Sequence, residues 1–236
     1  MLLPTMTNKE LVKEVLSDTD IIYSSSTVYR LADTYYQERL RNKISKTDLY
    51  VKFYEIKSNS KNRWIIMMER NTLHGKYQYA RDVALMPYTI YYTDKGLRIL
   101  YRTRRNDVAV MNAHLYERYR ERMKLDIPNL LDVVKHYVEH NYSILYYLFP
   151  EVDGRRKFYG TVKEGYVMGE FIEDDKLFIQ KTFICKEGST LKATAYEKEC
   201  LANVMEELKQ IDKIKDPLRY NEMMMIRKAL LSPEGI

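Results

Sequence analysis

His114, Arg118 and Arg122 recur at every fourth position of the stretch 108–123, VAVMNAHLYERYRERM, so a helix through them carries all three on one face. An imidazole titrates near neutrality and can give or take a proton, while guanidinium groups hold phosphate oxygens through paired donors. The helix opens at His114, after a short apolar run ending in Asn112 and Ala113, and a helix start adds free N–H groups and partial positive charge. Type, spacing and position together ask for an anion, phosphate above all. The same charges have a plainer account. Glu117 lies three residues from Arg120 and Glu121 three from Arg118, so ion pairs along a solvated face explain the row without a ligand. Leu115, Tyr119 and Met123 form the neighbouring stripe, which reads as the buried side.

A second trio lies in the next helical stretch. His136, Glu139 and His140 spell H-x-x-E-H, which resembles the inverted zinc-protease pattern. That chemistry takes two imidazoles one turn apart as ligands, a carboxylate to activate water, and Glu199 or Glu206 as a third ligand. Against it, the motif ends its helix, and Asn141, Tyr142 and Ser143 depart from the pattern's continuation. A histidine at a helix C-terminus is favoured by the dipole alone. The reading adopted is no metal and no cofactor, with zinc as the lesser alternative. A third group is basic and aromatic. Arg98, Tyr101, Arg102, Arg104 and Arg105 lead into the first helix, and Lys52, Tyr54 and Lys57 alternate upstream. Cations interleaved with rings on a sheet bind single-stranded nucleic acid through phosphate contacts and stacking, and a solvated strand face has the same composition.

The elements that must hold these groups follow from periodicity. Thr7 with Glu10 is a capping box before a short helix whose apolar side is Leu11, Val12, Val15 and Leu16. Ser24, Ser25 and Ser26 offer the cap of a longer helix to about Ile44. The period then changes to two. Strands around Val51 and Phe53 and from Trp64 to Met68 form one hairpin, and Tyr88 to Thr93 with Leu97 to Thr103 form another about Gly96, placing Arg98, Arg102 and Arg104 on one face. Pro128 opens a helix through Leu130, Leu131, Val134 and Val138 to His140. Strands at 155–162, 166–172 and 177–185 make a three-strand meander, and two helices finish the chain, the last starting at Asp216 and Pro217. The fold class is α+β: an antiparallel sheet of two N-terminal hairpins and a C-terminal meander, helices at both termini, and a central helix pair. The expected division is 1–106, the N-terminal helices and hairpins, and 107–236, an α+β unit with two terminal helices, packed together as one body.

Composition narrows the function classes. A chain of 236 residues buries a real core, and 31 % charged residues with 45 % hydrophobic argues against bulk disorder. Net charge is +6, which favours polyanions as partners. Two cysteines, Cys185 and Cys200, form neither a disulfide framework nor a metal knuckle and suit a reducing, cytoplasmic setting. No apolar run approaches membrane-spanning length, and the start MLLPTMTNKE lacks the parts of a signal peptide, so no membrane role is expected. Among 22 tyrosines most are expected to fill strands, with the hydroxyl at the wet edge.

Taken together, an aliphatic strand end, H-x-x-x-R-x-x-x-R, a short second helix at 126–141 and strands running to Lys181 and Thr182 resemble small domains of the RelE-like and colicin-like ribonuclease toxin superfamily. The resemblance covers 108–184, leaving the N-terminal hairpins and terminal helices outside it. It implies metal-independent RNA cleavage, with His114 as acid or base, Arg118 and Arg122 on the phosphate, and Lys181 and Thr182 opposite them. Tyr159 or Tyr166 would be the second acid or base. The expected function is RNA binding or RNA cleavage of this type. The alternatives are a non-catalytic protein that binds another macromolecule through its Tyr- and Arg-rich sheet, and a zinc hydrolase at His136, Glu139 and His140.

Overall fold

A computed structural model of the chain describes residues 1–44, 50–70, 78–80, 83–103, 105–142, 144–186, 191–211, 213 and 215–231. The fold is α+β, and two compact units divide it, Met1–Val110 with Asp175–Leu177, and Met111–Asp174 with Phe178–Ile236. No helix among the described residues is long and apolar enough to cross a membrane.

In the first unit, α1 (Asn8–Ser24) begins at the expected capping box. Glu10 N–H donates to Thr7 Oγ1, and Thr7 N–H donates to Glu10 Oε2 at 2.8 Å. The helix runs about two turns beyond Leu16 and ends where Ser25 starts α2 (Ser26–Arg41). The sheet of this unit takes the order β1 (Val51–Lys57), β2 (Arg63–Arg70), β4 (Val83–Thr93), β5 (Gly96–Arg102), with β3 (Gln78–Ala80) also on β4. These pairs are antiparallel, with Tyr54 opposite Ile66, Ile66 opposite Pro87 and Ile90 opposite Ile99. Trp64, Ile65, Ile66, Met67 and Met68 are all buried, so the middle of β2 has no solvated face. An uninterrupted apolar run is the signature of a strand covered on both sides, and a Tyr- and Arg-rich sheet open to a ligand does not form at the centre.

Asp18 ties α1 to the first hairpin. It is 1 % exposed, and its Oδ2 accepts Ser58 Oγ at 2.7 Å and both Asn62 Nδ2 and Trp64 Nε1 at 2.8 Å. Asn62 Oδ1 then accepts the Leu2 N–H at 2.7 Å, so the N-terminal segment is bound into the same network.

β6 (Val108–Asn112) leads into the second unit, where α3 (Ala113–Arg122) and α4 (Leu130–Asn141) follow. α3 buries Leu115, Tyr116 and Tyr119, with Met123 serving as the C-cap rather than as part of the stripe. α4 starts two residues later than Pro128 suggests, because Asn129 caps it through a 2.8 Å bond from Leu131 N–H to Oδ1. Tyr119 meets Tyr137 and Phe183 edge to face, each at 5.0 Å between centroids, which locks the two helices onto the last strand.

The meander has four strands instead of three: the order is β10 (Leu177–Cys185), β9 (Gly165–Ile172), β8 (Arg155–Val162), β7 (Leu145–Val152). β7 escapes the sequence pattern because Pro150 interrupts LYYLFPEV, and the register with β8 shifts between Leu148 and Glu151 at that point. Gly169 lets β9 lie close to its neighbour, since a Cβ there would fall 1.9 Å from the Ile179 carbonyl oxygen. α5 (Leu191–Gln210) and α6 (Pro217–Leu231) close the unit over Tyr147, Phe149, Tyr159, Cys200, Val204, Met223, Ile226 and Leu230.

Asp18→Ala strands the buried Asn62 and Trp64 donors and half-buried Ser58, and is expected to cost about 2–4 kcal/mol, read as a lower urea midpoint. Gly169→Ala forces backbone apart at the β9–β10 seam and is expected to cost at least about 3 kcal/mol in the same measurement.

Candidate functional site

Within the second unit, the side chains that combine into a chemical device come from α3, α4 and the turn before β9. Tyr119 Oη donates to Glu164 Oε2 at 2.6 Å and lies 2.9 Å from His136 Nδ1. Asn141 braces the carboxylate twice: its Nδ2 donates to Glu164 Oε2 at 2.8 Å and its Oδ1 accepts the Glu164 N–H at 3.0 Å. A carboxylate only accepts, so the single phenolic proton goes to Glu164 and His136 Nδ1–H must donate to the phenol oxygen. His140 Nδ1–H donates to the His136 carbonyl at 2.8 Å. The hydrogen-bond network thus assigns both histidines the Nδ1–H tautomer and leaves both Nε2 atoms as acceptors.

Electrostatics agree with that assignment. Burial, then the neighbouring His140, lower the pKa of His136 below the ordinary imidazole value, outweighing Glu164 and Glu139. Burial, followed by the bond to Glu164, pushes the Tyr119 hydroxyl up, so it stays protonated. The outcome is a neutral imidazole oriented by a phenol that is itself held by a braced carboxylate. It can accept a proton.

The same geometry weakens the zinc alternative. The His136 and His140 rings stack with centroids 4.2 Å apart and planes 21° from parallel. A metal bound at Nε2 lies in the plane of its ring about 2.0–2.1 Å away, and two nearly parallel planes this far apart share no such point. Among the described residues no group of three or more His, Cys, Asp or Glu could hold a metal ion. Glu206 is engaged by Lys209 at 3.0 Å.

His114, Arg118 and Arg122 do share one face of α3, yet they do not converge. His114 is exposed, with Nδ1 4.0 Å from Glu117 Oε2, and Arg118 Nη1 bonds Glu121 Oε2 at 2.8 Å. Arg122 donates instead to the Phe183 carbonyl on β10. Lys181 is paired with Glu170, and Thr182 next to it is half-buried. The neighbouring carboxylates and a backbone oxygen account for each cation separately. Tyr166 is likewise engaged, its hydroxyl donating to Glu197 at 3.1 Å.

In the first unit, Arg102 bonds Asp20 on α1 and Asn106, so it belongs to the helix-covered side of the sheet. Arg98, half-buried opposite Tyr91, has the same parity on β5 and shares that side. Arg105 is exposed, and Arg104 lies outside the described residues. Further exposed cations lie at the end of the first hairpin. Lys57 on β1 stands directly opposite Arg63 on β2, and Lys61 occupies the loop between them. Arg63 is in turn opposite Ile90, so Tyr92, two residues on and 54 % exposed, projects from the same face. Like charges in direct register destabilise a hairpin, and Glu55, 3.5 Å from Arg63, offsets them in part.

Charge is split unevenly between the units. Met1–Val110 with Asp175–Leu177 hold 20 Lys and Arg against 13 Asp and Glu, a net of +7. The second unit holds 19 against 20, a net of −1. An open cleft of about 510 Å³ lies at the α1–α2 turn, lined by Tyr23, Ser24, Ser25, Ser26, Tyr29 and Arg30. Compared with known protein families, characterised proteins and solved structures, the chain has no match in any of the three.

Sequence reasoning missed Tyr119, Glu164 and Asn141 as a unit. Glu164 reads as a turn residue, and nothing in local spacing links it to a helix 45 residues earlier.

Because folding lowers the His136 pKa, the folded chain resists a proton that the unfolded chain accepts near pH 6.5. Its contribution to stability is full above that pH and declines as pH falls through the lowered folded value. The imidazole protons of His136, followed by NMR, should therefore titrate below about pH 6.5; a midpoint at or above that value would refute the assignment.

Proposed function

We propose that this protein binds single-stranded RNA through its N-terminal unit and does not cut it. The observation that carries this reading is the partition of charge: the first unit has a net of +7 and the second a net of −1. Polyanion affinity follows local positive charge through the counterions it releases, so the phosphate backbone is drawn to the first unit. Lys57, Lys61 and Arg63 supply an exposed cationic end of the first hairpin, and the like-charge pair Lys57–Arg63 is relieved when a phosphate lies between its members. Tyr92, on the same face, offers a ring for stacking at the edge of that basic end. Cleavage, which the RelE-like resemblance of 108–184 implies, would ask His114, Arg118 and Arg122 to leave the partners they have.

The test is fluorescence anisotropy with a labelled single-stranded RNA across a salt series, in EDTA. Wild type is expected to bind with a steep salt dependence. Replacing Lys57, Lys61 and Arg63 together by Gln should weaken binding at least tenfold and flatten the log–log salt slope by about 2. Arg118→Gln should leave affinity unchanged, and the RNA should be recovered intact. Affinity indifferent to salt or to the triple substitution would sink the reading. RNA cut in EDTA by wild type but not by His114→Ala would replace it with the nuclease one.

A further inference from the structure

The cations at the end of the first hairpin are gathered at one corner of a sheet face and do not form a track. Lys57 and Arg63 stand in direct register, so their Cβ atoms are about 5 Å apart, and Tyr92 is a diagonal neighbour of Arg63, roughly 7–8 Å away. Lys61 closes the corner from the turn, where its N–H donates to the Ser58 carbonyl at 2.9 Å. Glu55 reaches one guanidinium nitrogen of Arg63 at 3.5 Å, and the fork keeps its other donors. Inward from the corner the face turns acidic and apolar. Glu55 follows Lys57 on β1, and Ile65, Ile90 and Ile99 on β2, β4 and β5 are buried. Among the described residues of these four strands no further Lys or Arg shares the face. Beyond Tyr92 the turn residues Asp94 and Lys95 cancel in charge, and Lys52, on the opposite face, is paired with Glu38.

A strand gripped along its length needs a basic groove several nucleotides long. This corner has three cations and one ring within the span of a single nucleotide, and the face behind it has nothing to hold the next phosphate. The most highly charged single group on an RNA strand is a terminal phosphomonoester, which carries about −1.5 to −2 near neutral pH where each internal diester carries one charge. Resting on RNA binding by the first unit, we propose that this corner is the subsite for a phosphorylated strand end: Lys57, Lys61 and Arg63 take the terminal phosphate, and Tyr92 stacks on the base next to it. Arg63 supplies the paired donors for two phosphate oxygens, and the lysines supply point charges. A dianion held between Lys57 and Arg63 offsets their repulsion more fully than a diester does.

Single-stranded RNAs of one sequence, labelled internally, are prepared with a 5′-phosphate, with a 3′-phosphate or with hydroxyls at both ends, and their affinities for the full chain are compared in EDTA at one ionic strength. A phosphorylated strand should bind about fivefold tighter or more than the hydroxyl strand, and the strand that gains names the end. Lys61→Gly should abolish that advantage with circular dichroism and Tm preserved, because glycine takes the φ of 62° at this position more easily than lysine does. Tyr92→Ala should weaken the phosphorylated strand about fivefold or more through lost stacking. Equal affinity for all three strands, or an advantage that survives Lys61→Gly, would overturn the end subsite. If joint replacement of Lys57, Lys61 and Arg63 by Gln then still weakens all three strands, RNA binding by the first unit stands without it. Absence of binding by every strand at low salt would remove both.

Discussion

A carboxylate oxygen that collects donors from distant segments is the constraint on which each unit depends. Asp18 Oδ2 receives three side chains that lie 40 to 46 residues further along the chain. Removing the carboxylate from water is costly, and that cost is offset only when all the donors arrive. The arrangement therefore acts as a register check: α1 settles at one height against the first hairpin, because any slip leaves a charge and an indole N–H buried without partners. The second unit repeats the device with Glu164, whose Oε2 takes Tyr119 and Asn141 and so fixes α3, α4 and the β8–β9 turn together.

The Glu164 network differs in having a continuation. Beyond Tyr119 it reaches His136, and beyond that the stacked His140, so a structural brace ends in a titratable ring. Burial and a neighbouring imidazole keep that ring neutral, which preserves the brace near neutral pH. The chain also separates two kinds of surface. The first unit carries the positive charge and has its exposed cations at a hairpin end, while the second is nearly neutral overall and exposes apolar groups along α6.

Local signals were legible in the amino-acid sequence and distant ones were not. The Thr7–Glu10 capping box and the pairing of β1 with β2 as a hairpin depend on neighbours within a few positions, and each appears as read. The ion pair of Arg118 with Glu121 was legible for the same reason. β7 was hidden by Pro150, and the two-sided burial of β2 by an apolar run that carries no alternation. The convergence expected of His114, Arg118 and Arg122 failed through an interaction no helical pattern contains, the reach of Arg122 to a carbonyl on β10. The Tyr119–Glu164 bond was illegible because only the folded meander brings that turn to α3.

Pro150 does more than conceal a strand. β7 ends the sheet order of its unit, and the outer rim of a sheet presents a row of free amides to which a passing extended chain can add. Proline deletes one of those amides, and the bulge beside it twists the rim away from a straight template. The sheet is thereby capped against growth by strand addition, the route by which concentrated β-rich chains polymerise.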